Sequence, residues 1–334
     1  MEHRSLRFQQ ISSTAILLLA ALIWGMCFVA QRSGMDYLGP FIFNSIRALM
    51  ASLTLGLILL VVVLLSRRTG NQQQQGTIPD TSTLPRAASS VFRNHKQILL
   101  GGSVTGICFF LASNTQQIGL VSVTASKAAF ITTLYVVLVP LLGLVLKHKT
   151  HWNTWLGASI AVAGLYLLCM SESLSLGRGD TILIVSALFW ATHILAVGHF
   201  APRLSFTQLF AMCTIQFAVT GVLSFGCALG FDHLFVAVPL SVDAIRQVGP
   251  ELLYAGILST AGGFSLQALA QKYAPPSPAA IVMSCESVFG LIGGVLILGE
   301  VLTSREGFGY LLMFVAVLLA QLEFKPRSHR SHPE

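Results

Sequence analysis

Apolar residues are arranged along this chain in long runs that short polar segments separate. A helix that crosses the hydrocarbon core of a bilayer needs about 20 consecutive, mainly apolar residues, and ten runs reach that length. They cover approximately residues 13–31, 39–65, 98–118, 123–146, 153–171, 180–200, 206–229, 249–271, 277–298 and 307–323. The pattern predicts an all-α membrane protein with ten transmembrane helices, whose surroundings are the lipid bilayer.

One polar segment is much longer than the others. Residues 66–97 contain the glutamine run Gln72–Gln75, two prolines, several serines and threonines, and no apolar periodicity. Such a composition cannot bury enough apolar surface to fold, so we expect a flexible loop here. Polar tails are expected over residues 1–12 and 324–334.

Composition and charge support this class and exclude others. The 334 residues are 54% hydrophobic and only 10% charged, whereas a soluble domain carries about 25% charged residues. The formal net charge is +7, but the basic residues lie in loops and tails, so the excess indicates membrane topology and no nucleic acid partner. The six cysteines all lie in apolar stretches without a CxxC pair. This indicates neither a disulfide framework nor a metal site, and the sequence suggests no cofactor.

The distribution of lysine and arginine predicts the orientation. With the N-terminus in the cytoplasm, 14 of the 20 basic residues fall in cytoplasmic segments, 4 in external loops and 2 within spans. Cytoplasmic loops of membrane proteins are enriched in these residues. We therefore expect a multi-pass protein of the cell (inner or plasma) membrane with both termini cytoplasmic.

The second half of the chain resembles the first. The stretch from Leu22 aligns with that from Leu188, which places Trp24 opposite Trp190. The stretch 119–146 aligns with the one from Ser277, and residues 157–168 align with those from Gly309. Each half has five predicted helices, an odd number, so the halves must cross the membrane in opposite directions. Inverted repeats of this kind are an architecture of secondary transporters, with the substrate site near the midplane between the halves. We predict two repeats, over residues 13–171 and 180–323.

The same segments carry a resemblance to a known family. The matching pieces are Trp24-Gly25, Arg47-Ala48, Thr124–Ala129, Val139–Gly143, Gly157, Gly164, Gly179-Asp180, Trp190-Ala191, Glu286–Val288 and Leu298–Glu300. In order and spacing they resemble the EamA-type members of the drug/metabolite transporter superfamily. The resemblance covers about residues 13–323. It implies ten helices in two inverted halves around a central cavity, and a small-molecule substrate, since members mostly export amino acids, other metabolites or toxic compounds.

The chain departs from the family pattern at two places. Lys147-His148-Lys149 replaces the usual acidic residue at the end of the fourth helix, and Glu286-Ser287 replaces the usual Glu-Pro in the ninth. Neither the family nor these departures identify a substrate, and the sequence gives no oligomeric state.

Charged residues within spans are costly and mark candidate functional sites. Glu286 lies near the middle of the ninth span and could carry a proton, hold a cationic substrate group, or form a structural hydrogen bond. Lys127 could bind an anionic group or pair with Glu286, or its side chain could extend to the interface. Arg47 is expected to be structural, bonded to backbone carbonyls or helix ends. Asp180 begins the sixth helix, where it is expected to be an N-cap.

Aromatic and amide side chains complete the predicted cavity. Trp24 and Trp190 could line it and contact cationic or apolar substrate groups, or simply pack helices together. Tyr135 is a candidate wall residue. His193 could relay protons or be a satisfied core residue. Buried amides need hydrogen bonds, and we expect Gln267, together with either Asn114 or Gln117, to line the cavity.

The leading hypothesis is therefore a secondary transporter that exports a small amphipathic metabolite by alternating access, with or without a proton gradient. The alternatives are a sensor or scaffold that does not transport, and an intramembrane enzyme. The chain has no Walker A string, no HExxH and no second intramembrane aspartate to pair with Asp180, so an enzyme is disfavoured and no catalytic residue is predicted. Three glycine pairs with GxxxG spacing are expected to allow close helix contacts. These are Gly102/Gly106, Gly226/Gly230 and Gly290/Gly294.

Overall fold

The computed structural model describes residues 2–73, 95–145, 152–169, 177–235 and 240–321. Within these ranges the chain forms helices joined by short turns, and no strand is present there. The apolar runs are helical because backbone polar groups at membrane depth must be satisfied within the chain.

The first half contains six helical segments. They are α1 (Glu2–Gly34), α2 (Pro40–Gln73), α3 (His95–Leu120), α4 (Ala125–Thr132), α5 (Tyr135–Val145) and α6 (Trp152–Cys169). The flexible loop predicted over residues 66–97 is shorter in the structure, because residues 66–73 extend α2 and residues 95–97 begin α3. Residues 74–94 lie outside the described part of the chain. Residues 2–12, predicted as a tail, continue α1.

The second half is divided more finely. Its helices are α7 (Arg178–Phe200), α8 (Phe206–Phe231), α9 (Val242–Gln247), α10 (Gly249–Leu253), a π-helix (Tyr254–Gly263), α11 (Phe264–Gln271), α12 (Pro276–Met283), α13 (Glu286–Leu298) and α14 (Ser304–Gln321). Short 3₁₀ turns follow α7 and α8.

Eight helical stretches of the described chain are long and apolar enough to cross a membrane. They are Ser12–Gly34, Pro40–Leu65, His95–Leu120, Ala125–Val145, Arg178–Arg203, Phe206–Leu234, Gly249–Gln271 and Pro276–Leu298. They correspond to eight of the ten predicted spans. The other two predictions coincide with α6 and α14, which pack against each other.

Two of the predicted spans are broken at equivalent positions. The fourth is interrupted at Thr133–Leu134, between α4 and α5, and the ninth at Ser284–Cys285, between α12 and α13. The second break follows the first by 151 residues in the chain. Hydrogen bonds between residues three apart span both breaks. The N–H of Val136 donates to the Thr133 carbonyl at 2.9 Å, and the N–H of Ser287 donates to the Ser284 carbonyl at 3.1 Å.

The eighth span contains ten consecutive residues of π-helix, Tyr254–Gly263. The Thr260 hydroxyl donates to the carbonyl of Ala255, five residues earlier, at 2.6 Å. π-Helical turns are rare and frequently lie at functional sites. This one contributes a wall residue, Ser259, to the cavity described below.

The helix bundle has two opposite ends, the Gly34 end and the Gln271 end. At the Gly34 end, α1 and α3 terminate, α2, α4 and α7 begin, and the segments after α8 and α13 contact them. At the Gln271 end, α11 meets α7 and the turn that precedes α8.

Two of the three GxxxG pairs are close helix contacts, as predicted. A Cβ on Gly102 would lie 2.7 Å from the Ile215 side chain, and one on Gly290 would lie 2.6 Å from the Ala129 Cβ. The prediction is wrong for Gly226/Gly230, because no atom of the described chain lies within 4 Å of a Cβ at either position.

Candidate functional site

A cavity lies at the middle of the bundle and is lined by both halves of the chain. It encloses about 470 Å³ of empty space, including the part that is open to solvent. The lining residues are Trp24, Phe28, Gln31, Arg47, Gln116, Thr132, Tyr135, Trp190, Ile194, Ser259, Phe264, Gln267, Met283 and Glu286.

Aromatic rings form one wall of the cavity. The ring of Phe264 lies 5.5 Å from that of Trp190 in a nearly parallel stack, and 4.5 Å from that of Trp24. Phe109 supports this wall from behind, with its ring edge-to-face against Phe264 at 4.6 Å. The two tryptophans thus line the cavity and also pack on a ring of the second half, Phe264.

Both indole N–H groups are satisfied by the protein. Trp24 donates to the carbonyl of Ser259 at 3.3 Å, and Trp190 donates to the Gln116 side chain at 2.6 Å. These bonds fix the ring planes, so the aromatic faces are preorganised. Such faces suit apolar or cationic groups of a ligand.

Tyr135 and Glu286 directly follow the two helix breaks. Tyr135 begins α5 and Glu286 begins α13, and both side chains are buried and line the cavity. The Tyr135 hydroxyl lies beside the Glu286 carboxyl but does not reach hydrogen-bond geometry with any group of the described chain. No lysine, arginine or histidine of the described ranges lies within 4 Å of Glu286.

Arg47 forms a basic position in the same cavity, which corrects the expectation of a purely structural arginine. Its side chain is 2% exposed, yet it lines the cavity beside the thiol of Cys27. Its Nε has no hydrogen-bond partner in the described ranges. The expected bonds to backbone carbonyls are absent in those ranges, and the neighbouring group is the Cys27 thiol.

The two charged positions lie at different depths. Arg47 is seven residues into α2, about 10 Å from the Gly34 end, whereas Glu286 is twelve residues, about 18 Å, from the last residue of α13 at that end. No ion pair joins them within 4 Å. A ligand in the cavity would therefore meet a cation and an anion at separate places.

A chain of hydrogen bonds connects the aromatic wall to the basic position. The amide of Gln116, which accepts from Trp190, donates to the Gln31 side chain at 3.2 Å. Gln31 in turn donates to the sulfur of Cys27 at 3.3 Å. The orientation of these amides is thus fixed on the Arg47 side of the cavity.

Gln267 lines the cavity, whereas Asn114 and Gln117 do not. Asn114 accepts from Asn44 at 3.1 Å and donates to the Ser224 hydroxyl at 2.8 Å, so it joins helices. Gln117 donates to the backbone carbonyl of Gln31 at 3.1 Å. The amide of α3 that enters the cavity is their neighbour Gln116, because one residue along a helix rotates the side chain by about 100°.

His193 is a core residue rather than a cavity residue. It is buried, its Nε2 lies 3.3 Å from the Gln216 side-chain oxygen, and its ring packs edge-to-face on Phe109 at 5.5 Å. Of the two roles that the sequence left open for it, proton relay and satisfied core histidine, this position favours the second.

Lys127 neither enters the cavity nor pairs with Glu286. Its ammonium lies 3.0 Å from the carboxylate of Asp180 at the Gly34 end. Asp180 is also not the N-cap of α7, because Gly177 holds that place and donates its N–H to the Asp180 carboxylate at 3.2 Å. The aspartate thus neutralises the lysine and caps the first turn of its own helix.

Several lining residues were not predicted from the sequence, among them Gln31, Gln116, Ser259 and Phe264. For Gln116 a signal existed, because it precedes Gln267 by the same 151 residues that separate Tyr135 from Glu286. No group of three or more metal-ligating side chains stands together in the residues that the structure describes.

Comparison with known proteins agrees with this architecture. The sequence model of the EamA-like transporter family matches residues 12–170 and again residues 177–322. An uncharacterized transporter from Archaeoglobus fulgidus is 28% identical over 314 residues, which are 92% of this chain and 84% of that protein. The crystal structure of another protein, 16% identical, superposes with a TM-score of 0.61 over 92% of this chain and 96% of its own.

Proposed function

The chain belongs to the EamA-like transporter family, and from this premise we propose that it is a secondary transporter built from ten membrane-spanning helices in two inverted halves. Two observations support the repeat. The family model matches each half separately, and the fourth and ninth spans are broken at equivalent positions. The corresponding halves are residues 13–171 and 180–323, in the cell membrane, with both termini in the cytoplasm.

The proposed substrate is a small amphipathic compound such as an amino acid, with an amine as the simpler alternative. The observation that carries this is the presence of Arg47 and Glu286 in one cavity without an ion pair between them. Each charge is costly at this depth unless it is compensated. A substrate with a basic and an acidic group would compensate both, while its apolar part contacts Trp24, Trp190 and Phe264.

Movement of the substrate follows from the position of the cavity between the halves. Rocking of one half against the other would expose the cavity first at one end and then at the other. Glu286 is the one carboxyl among the lining residues, so it is the group that would exchange a coupling proton for the substrate. Export is the direction that the family resemblance favours.

The test is transport by the purified full chain in proteoliposomes, with a panel of radiolabelled amino acids, amines and organic acids. We expect saturable uptake of at least one zwitterionic compound. Glu286→Gln should reduce it at least tenfold and remove its response to a pH gradient. Arg47→Gln should raise KM for zwitterions and affect simple amines less.

Asp243→Asn is the matched control, because this exposed aspartate lies outside the cavity and, among the described residues, pairs with Arg246 of its own turn. It should leave transport unchanged. If Glu286→Gln alters neither the rate nor the pH response, the proton role is wrong. Saturable binding without movement of any compound would instead favour a sensor, and a chemically altered product would favour an enzyme.

A further inference from the structure

Four carboxyl groups connect the two halves of the chain at the Gly34 end. All four belong to the second half, and each has a partner in the first. The contacts are Asp180 to Lys127, Asp232 to Phe41 and Ile42, Glu251 to Ser33, and Glu300 to Ala125 and Ser126. Asp180 accepts in addition from the N–H of Gly177, the N-cap of its own helix. At the Gln271 end, over the residues that the structure describes, no carboxyl group joins the halves.

Glu300 accepts two backbone hydrogen bonds at the start of a helix of the other half. Its two carboxylate oxygens accept from the backbone N–H groups of Ala125 at 2.7 Å and Ser126 at 3.1 Å, in the first turn of α4. A carboxylate is stabilised there by the helix dipole and by charge-assisted hydrogen bonds. Gly299, with a φ of +66°, turns the chain so that Glu300 reaches this position.

Asp232 repeats the arrangement at a second helix. It follows α8, and its oxygens accept from the N–H groups of Phe41 at 2.9 Å and Ile42 at 2.7 Å, at the start of α2. Gly39 leaves the space that the carboxylate occupies, since a Cβ there would lie 2.6 Å from its oxygens. Two helices of the first half are therefore capped by acids from the second.

The Glu300 contact is connected to the cavity through two short helices. α13 begins at Glu286 in the cavity and ends just before Glu300, and α4 runs from Ala125 to Thr132, which lines the cavity. These helices pack on each other closely at Gly290 and Ala129. A displacement of Glu286 or Thr132 by a substrate would be carried along rigid helices to the Gly34 end.

We propose that Glu300 and Asp232 are latches that hold the Gly34 end closed, and that opening of this end withdraws them from the first turns of α4 and α2. In the closed state the two carboxylates accept from backbone N–H groups at the starts of α2 and α4. Opening would leave these helix starts uncapped, so the bonds favour the closed state without a covalent link. This inference rests on the proposed alternating access, but it concerns a conformational equilibrium that is measurable without any substrate.

The experiment measures distances between spin labels by double electron–electron resonance on the full chain in nanodiscs. The six native cysteines are replaced by alanine, and labels are attached through Ser122→Cys and Val301→Cys, two exposed positions at the Gly34 end. A second pair, Gln97→Cys and Tyr273→Cys, reports on the Gln271 end.

Glu300→Gln should raise the ratio of long to short distances at the Gly34 pair about fivefold, the size expected for the loss of a good helix cap. The Gln271 pair should shorten in the same molecules. Asp232→Asn should also raise the ratio of long to short distances at the Gly34 pair. It tests the proposal independently if the Glu300→Gln protein does not fold. Asp243→Asn should change neither pair, because the ion pair of this acid in the described chain is with Arg246 of its own helix.

Unchanged distances at the Gly34 pair in folded Glu300→Gln and Asp232→Asn protein would overturn the latch. Because no substrate is present, a failure of transport in proteoliposomes would count against the proposed function and leave this result untouched. Conversely, a rigid Gly34 end in a protein that transports normally would refute the latch alone.

Discussion

The ammonium of Lys127 lies 3.0 Å from the carboxylate of Asp180, and the two residues belong to different halves of the chain. The lysine side chain is 21% exposed and the aspartate side chain 5% exposed. A partly buried pair of this kind costs more to break from one side than an exposed pair. It explains how a lysine is accommodated in an apolar span without contacting the cavity.

Lys127→Met should therefore destabilise the protein without changing substrate affinity. The loss should be about 1–3 kcal/mol, because the buried carboxylate keeps its charge without a partner. Thermal unfolding in detergent measures the stability, and proteoliposome uptake measures KM. In a double-mutant cycle with Asp180→Asn, the two effects should not add. A KM change above about tenfold would place the lysine in the substrate path after all.

Two adjacent glycines of the π-helix allow a matched comparison. A Cβ on Gly263 would lie 2.5 Å from the indole nitrogen of Trp24, whereas one on Gly262 would meet only a carbonyl oxygen at 3.6 Å. Gly263→Ala should displace the indole and reduce transport severalfold. Gly262→Ala should be tolerated or slightly stabilising. Equal effects of the two substitutions would mean that the Trp24 ring position does not matter for transport.

Asn114 should prove to be structural. It accepts from Asn44 and donates to Ser224, which joins three helices. Asn114→Ala leaves buried partners unsatisfied, and each such group costs about 1–3 kcal/mol. We expect a lower unfolding temperature and an unchanged KM. Gln116, only two residues away, lines the cavity. Gln116→Ala should therefore change KM clearly and lower the unfolding temperature less than Asn114→Ala does.

The hydrogen bond from Trp190 to Gln116 offers a further test of the aromatic wall. Trp190→Phe keeps an aromatic ring but removes the N–H that donates to Gln116 at 2.6 Å. The Gln116 amide would then be free to rotate, and its bond to Gln31 would weaken. Uptake should fall, with tryptophan fluorescence reporting whether the remaining cavity indole, Trp24, stays in place. Unaltered uptake kinetics would show that the amide chain does not set the geometry of the site.

Much of the architecture could be predicted from the sequence because it depends on apolar runs and internal similarity. The alignment of the halves placed Tyr135 and Glu286 at equivalent positions, and both line the cavity. The helix breaks beside them could not be predicted. Thr133–Leu134 and Ser284–Cys285 contain neither glycine nor proline, whereas Pro140, a typical helix breaker, lies inside the continuous α5.

The errors about individual side chains have a common physical cause. Along a helix, adjacent residues point about 100° apart. Residues 113–117 are all polar and therefore point in every direction around α3, so the sequence does not show which of them faces inward. The choice among Asn114, Gln116 and Gln117 therefore depended on packing that the sequence does not record. The partner of Lys127 was equally hidden, since Asp180 is 53 residues away in the chain.

The carboxylates at the Gly34 end also make the two halves unequal partners in assembly. If the chain were cut between α6 and α7 and expressed as two polypeptides, each fragment would present what the other lacks. The first supplies backbone N–H groups and Lys127, and the second supplies Asp180, Asp232 and Glu300. Two copies of the second fragment would bring like charges together, and two copies of the first would leave helix starts uncapped. The split protein should therefore assemble as a heterodimer and not as either homodimer.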